Sequence, residues 1–122
     1  MLTSKHGLAK SFVFAFEGLK TAITKGRNFR IQIFVGTIAV LLGLVLKLSS
    51  FEWLALIIII SFVLILELIN TSIEAITDMV SPEISEKAKI AKDVAATSVL
   101  ISSIAGLLAG LVLFLPKILA LV

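Results

Sequence analysis

Three long apolar runs govern what this chain can become. They cover residues 31–46, 53–66 and 94–115, and none of them carries a charged side chain. A helix needs about 20 such residues to cross a bilayer. The third run is long enough as it stands. The first is slightly short, and Phe29 with snorkelling Arg30 and Lys47 completes it. The second opens at Trp53, a residue suited to the membrane interface, and should continue helically past Glu67 to about Met79, where Ser81-Pro82 ends it. The isoleucines at 57–60 are β-branched. A lone strand, however, leaves its backbone unpaired in hydrocarbon, so helix is the expectation.

Composition agrees with a bilayer as solvent. Hydrophobic residues make up 59% of the chain, charged residues 16%, and the mean hydropathy is +1.16. Soluble domains average about 25% charged residues, and a soluble chain this small keeps much of its surface exposed. The absence of cysteine excludes disulfides, thiolate nucleophiles and cysteine-based metal sites. The formal net charge is +3. In a membrane chain that excess points to topology and anionic lipid contact, not to nucleic acid. No signal peptide is expected, because the first apolar run begins after about thirty residues and lacks a small-residue cleavage site. Single His6 near the terminus offers no basis for a histidine dyad. Neither a GxxxxGK[ST] loop nor a GxGxxG loop is present.

Residues 8–25 read differently. Leu8, Phe12, Ala15, Leu19, Ala22 and Ile23 recur at helical spacing, with Lys10, Glu17, Thr21 and Thr24 on the other side. That pattern suits a helix lying in the membrane interface, and a plain amphipathic anchor explains it as well as any function does. Gly26 marks a break, followed by a basic, aromatic collar at 27–30. Residues 47–52 form a polar turn, and 83–93 a charged, partly helical connector. The expected architecture is all-α: a surface helix at 8–25 and membrane helices at 30–48, 52–79 and 94–116, the last closed by Pro116-Lys117. Ser98, Ser102, Gly106 and Gly110 repeat every four residues, a small-residue stripe that lets helices approach closely. Lys5, Lys10, Lys20, Lys25, Arg27 and Arg30 precede the first span, and Lys87, Lys89 and Lys92 lie in the second connector, against Lys47 and Lys117 on the other side. The positive-inside rule places the N-terminus and that connector in the cytoplasm.

The second membrane helix holds the chemical anomaly. Glu67, Asn70, Thr71, Glu74 and Asp78 share one stripe, since at about 100° per residue Glu74 and Asp78 fall within roughly 20° of Glu67. Glu67 sits roughly 10 Å deeper than Glu74. Ionisable groups at membrane depth are costly and are functional candidates by default. The alternative is a structural polar seam between helices, but unpaired carboxylates repel and call for a cation. Lys92-Asp93, at the mouth of the third span, is a second candidate: lysine suits phosphate as a mobile charge, and Asp93 can orient it or a metal-bound water. An ordinary snorkelling pair is the plain alternative.

Four segments carry a resemblance. They are FEGLKTA at 16–22, RNFRI at 27–31, ELINTSIEAITD at 67–78 and AKIAKDVAA at 88–96. Over residues 10–115 the chain resembles the small bacterial membrane lipid kinases, the diacylglycerol and undecaprenol kinases, and its second and fourth motifs look closer to the undecaprenol kinases of Gram-positive bacteria. The resemblance implies a homotrimer with sites shared between subunits, transferring the γ-phosphate of ATP, with Mg²⁺, to a lipid alcohol in the bacterial cytoplasmic membrane. It implies Glu67 as general base, Glu74 as metal ligand, and Glu74, Glu83, Ser85, Lys92 and Asp93 around the nucleotide. Phe29, Arg30, Glu67, Asn70 and Ala96 fall where the lipid binds. The family's second metal-binding glutamate aligns with Gly26, and Glu17 lies on the opposite face of a continuous helix. Weaker Mg²⁺ affinity than in a relative with glutamate there is expected, to be tested with Gly26→Glu. A small transporter with a carboxylate relay and a non-enzymatic membrane scaffold are the readings outside this class; the first favours midplane carboxylates and often four spans, and the second needs no acidic stripe.

Overall fold

The computed structural model describes residues 7–83 and 85–122; Lys5 and His6 lie outside the described residues. Four helices follow one another: α1 Leu8–Lys25, α2 Arg27–Val45, α3 Ser50–Val80 and α4 Glu86–Leu119. The last three are long and apolar enough to cross a membrane. Among the described residues there is no strand.

The α1–α2 elbow is built on Gly26. Its N–H donates to the Ala22 carbonyl at 2.8 Å, closing α1, and its own carbonyl accepts from Arg30 N–H at 3.1 Å, opening α2. The collar is therefore already helical, and α2 begins three residues before the expected start. A Cβ on Gly26 would lie 2.6 Å from the Ala22 carbonyl oxygen and 3.3 Å from Phe29 Cβ. Arg30 does not only snorkel: its Nη1 donates to the carbonyls of Ile23 at 2.8 Å and Thr24 at 3.0 Å, capping the end of α1. Of α1 itself only Ala22 is buried.

The α2–α3 turn was expected only as polar. It has more structure than that. Lys47 takes a left-handed φ of 57°, and Leu48 N–H reaches back to the Gly43 carbonyl at 3.1 Å, the Schellman ending of a helix. Leu48 and Trp53 then press on Gly43, where a Cβ would lie 2.9 Å from Trp53 Cη2 and 3.0 Å from Leu48 Cδ1. Ser49 and Glu52 form a reciprocal capping box: Glu52 N–H donates to Ser49 Oγ at 3.2 Å and Ser49 N–H to Glu52 Oε1 at 2.9 Å. The S-x-x-E spelling was there to be read in 49–52.

α3 and α4 pack antiparallel along much of their length. Of the small-residue stripe, Ser102 is almost wholly buried and a Cβ on Gly106 would sit 3.6 Å from Val63 Cγ2, whereas Gly110 meets nothing within 4 Å. The stripe thus serves close approach over half its length. Ser85 caps α4, its Oγ accepting from Ala88 N–H at 3.1 Å, so the helix starts at Glu86, well before the apolar run. It also runs through Pro116 to Leu119. Proline there removes one donor near a helix end, and Ala120 N–H still bonds the Pro116 carbonyl at 3.1 Å. Lys117 Nζ meets Glu52 Oε1 at 3.1 Å, tying the start of α3 to the end of α4.

Candidate functional site

The polar stripe on α3 divides into a buried and an open half. Glu67 is 4% exposed and Asn70 8%, while Glu74 and Asp78 are exposed. Asn70 Nδ2 donates to Glu74 Oε1 at 3.0 Å, linking the halves. Thr71, the remaining member, turns its hydroxyl back to the Glu67 carbonyl at 3.0 Å. Two acceptors are left over. Glu67 Oε2 and Asn70 Oδ1 are buried with no hydrogen-bond partner. A buried polar atom without a partner costs about 1–3 kcal/mol, more when charged. The two residues lie one turn apart on the same face of α3.

A second cluster lies at the Asp78 end of α3. Asp78, Ser81, Pro82 and Glu83 face Ser85, Ala88, Lys89, Lys92 and Asp93 across a cleft of about 230 Å³. Four of the residues expected at a nucleotide, Glu83, Ser85, Lys92 and Asp93, are brought together here. Ser81 Oγ donates to the Glu83 carbonyl at 3.1 Å and lies 3.3 Å from Ser85 Oγ, which folds the connector against the capped start of α4. The charges pair otherwise than adjacency in sequence suggests. Lys92 Nζ bonds Asp78 Oδ1 across the two helices, and Asp93 is held by Lys89 one turn back. Adjacent residues on a helix point about 100° apart, so Asp93 cannot orient Lys92 directly.

The remaining candidates are spread out. Phe29 is buried, Arg30 is engaged with α1, and Ala96 is exposed on α4 beside buried Ala95. Neither Glu67 nor Glu74 lines the cleft. Gln32 escaped the sequence reading: its Nε2 donates to Ser103 Oγ at 3.0 Å, bridging α2 and α4. The signal was there, as the sole amide in an otherwise apolar run. The pair edges an apolar groove of about 360 Å³ between α2, α3 and α4, which reaches Leu64, one turn from Glu67.

Among the described residues, no three of His, Cys, Asp or Glu come together as a cation-binding group. Mg²⁺ needs less than that. It commonly takes one or two carboxylates and leaves its other positions to water and substrate phosphates. Exposed Glu74, steadied by Asn70, offers one such carboxylate. The donor set therefore fits a cation that arrives on a nucleotide and does not form a resident cage.

Comparison with known proteins gives one consistent result. The family model described as prokaryotic diacylglycerol kinase matches residues 13–114. A diacylglycerol kinase of Synechocystis sp. is 39% identical over 115 residues, which is 93% of this chain and 66% of that protein. An undecaprenol kinase of Bacillus subtilis is 34% identical over 109 residues, 89% of each chain. A diacylglycerol kinase of Haemophilus influenzae is 32% identical over 108 residues, 88% of this chain and 92% of the other. The chain thus spans just under two thirds of the Synechocystis relative and most of the other two.

Proposed function

The chain belongs to the prokaryotic diacylglycerol kinase family, a family of membrane lipid kinases, and on that premise we propose that it transfers the γ-phosphate of ATP to the hydroxyl of a lipid alcohol, undecaprenol before diacylglycerol. The observation that carries the proposal is the unpartnered, buried carboxylate oxygen of Glu67. A lipid hydroxyl entering from the bilayer supplies the donor that this atom lacks. Glu67 Oε2 accepts that hydrogen bond, and then the proton, as the lipid oxygen bonds to the γ-phosphorus and the bond from that phosphorus to the bridging oxygen breaks, releasing ADP. Asn70 Oδ1 remains as a second acceptor for the lipid head, while its amide group steadies Glu74. Phe29, Arg30 and Ala96 belong to the lipid side of this proposal.

ATP takes the other end of α3. Lys92 offers a mobile positive charge to the phosphates, Ser85 and Glu83 border them at the capped start of α4, and Asp93 fixes Lys89 in the wall. Glu74 lies between the two clusters and would hold Mg²⁺. When bound, the cation neutralises charge on the transferring phosphates. Everything else asked of the chain is positioning, a task within reach of a protein without a phosphate-binding loop.

The site is proposed to face the cytoplasm of a bacterium. Lysines and arginines crowd the Asp78 end of the helices, leaving Lys47 and Lys117 at the other. The functional unit is proposed as a homotrimer with shared sites. Within one chain Glu67 and Asp78 are eleven positions apart, about 16 Å along the helix axis. A phosphate group cannot touch both, and a neighbouring subunit can bring its own cleft nearer.

The test is lipid-dependent transfer of label from ATP by the purified protein, with undecaprenol and diacylglycerol offered in one detergent. Faster turnover of undecaprenol is expected. Preference for diacylglycerol reverses the assignment of substrate, and transfer to neither lipid overturns the kinase reading.

A further inference from the structure

The cleft between α3 and α4 is ill-suited to a bare anion. Its lining carries three carboxylates, Asp78, Glu83 and Asp93, against two ammonium groups, Lys89 and Lys92. Neither lysine is unpaired: Lys92 is bonded to Asp78 and Lys89 to Asp93. A polyphosphate entering this cleft must displace a carboxylate to reach Lys92, and the displaced carboxylate stays beside it as a like charge. A divalent cation carried on the phosphates lowers that repulsion, because the complex presents less negative charge to the wall.

We propose that Asp78 is a specificity-determining positioning residue: by masking Lys92 across the α3–α4 gap, it makes the cleft favour a nucleoside triphosphate as its divalent-metal complex over the metal-free anion. The proposal rests on the reading of this cleft as the nucleotide site. Asp78 belongs to the stripe on α3, yet it contacts neither the buried Glu67–Asn70 pair nor Glu74 through any hydrogen bond, and its partner is on another helix. Its side chain is 65% exposed and that of Lys92 is 41% exposed. The pair therefore contributes little to stability and exchanges readily for another anion.

The experiment is equilibrium binding of labelled ATP to the intact protein in detergent at low ionic strength, where exposed charges are least screened. Each variant is titrated once with EDTA and once with excess Mg²⁺. Asp78→Asn should bind metal-free ATP about five-fold tighter, the size of one exposed ion pair, with a much smaller change for MgATP. Asp78→Glu, which keeps the charge, should behave as the unaltered protein. At limiting Mg²⁺ the metal-free ATP that Asp78→Asn binds more tightly competes with MgATP, so the KM for MgATP should rise in Asp78→Asn and return toward that of the unaltered protein in excess Mg²⁺, a dependence that a merely structural role would not produce. Lys92→Ala separates the two levels of the argument. If Lys92→Ala weakens MgATP binding while Asp78→Asn leaves metal-free ATP binding unchanged or weaker, the masking role is overturned and the nucleotide site stands. If Lys92→Ala has no effect on MgATP, the nucleotide reading of the cleft falls, and the proposal with it.

Discussion

At Gly26 an elbow stands where the resemblance leads one to expect a metal-binding carboxylate. The oxygen of Ala22 sits 2.6 Å from where a Cβ would be, so any side chain there must first move the junction of α1 and α2. Gly26→Glu alone would thus confound metal binding with a displaced elbow, and Gly26→Ala is the needed reference. Both variants should lose stability, by about 1–3 kcal/mol as overpacking does, read as a drop in thermal midpoint. Against that shared loss, Gly26→Glu should reach half-maximal activity at lower Mg²⁺ than Gly26→Ala. Identical Mg²⁺ titrations would show that a carboxylate at this point does nothing for the metal. Glu67 permits a cleaner substitution, because glutamine keeps its shape. Glu67→Gln should lower transfer by about 10²–10⁴-fold, the range of a lost general base, with labelled-ATP binding retained. Wild-type turnover would remove Glu67 from the role. The stripe was legible from spacing alone, since i, i+3, i+7 and i+11 on a helix must share a face. What spacing could not give was who meets whom across helices: Lys92 belongs to Asp78, and Arg30 to the end of α1. Those partnerships depend on how the helices are rotated against each other, which the apolar runs leave open because they are apolar all round.

Elements were easiest to read where lipid dictates them and hardest at their ends. Spans of apolar residues announce helices of the right number. Their ends turn on a few local bonds: the left-handed Lys47, the Ser49–Glu52 box, the Ser85 cap. Glu52 shows how much one such residue carries. It completes the capping box and also meets Lys117, with both side chains about two-thirds or more shielded from solvent. Glu52→Ala should therefore lower the thermal midpoint by a few degrees, since it removes both the cap and the ion pair. Because the clasp lies at the opposite end of α3 from Asp78, the KM for ATP should stay unchanged. Thermal unfolding by circular dichroism in detergent reads the first quantity and steady-state kinetics the second; a shifted KM would show that the two ends of α3 are coupled.

At the scale of the whole molecule, a single chain leaves most of its large apolar side chains exposed. Its surface is 9095 Å², where a soluble protein of its mass would expose about 6,400 Å². Among the described residues, the buried apolar cluster is Leu48, Leu56 and Phe114. Lipid covers part of the excess, and the proposed neighbours in a trimer cover more. The decisive question is whether they also complete the site. If α3 of one subunit works with the cleft of another, two dead variants should rescue each other. Glu67→Gln and Lys92→Ala, each purified alone, should both be nearly inactive. Co-expressed with different tags and isolated through both, the mixed oligomer should regain activity, since around a closed three-membered ring every mixed assembly reunites an intact Glu67 with an intact Lys92 in about one site in three. Sites contained within single chains would regain none, because every chain carries one lesion. Recovery therefore reads directly whether Glu67 and Lys92 act across a subunit boundary, as proposed from the separation of about 16 Å between Glu67 and Asp78 along α3.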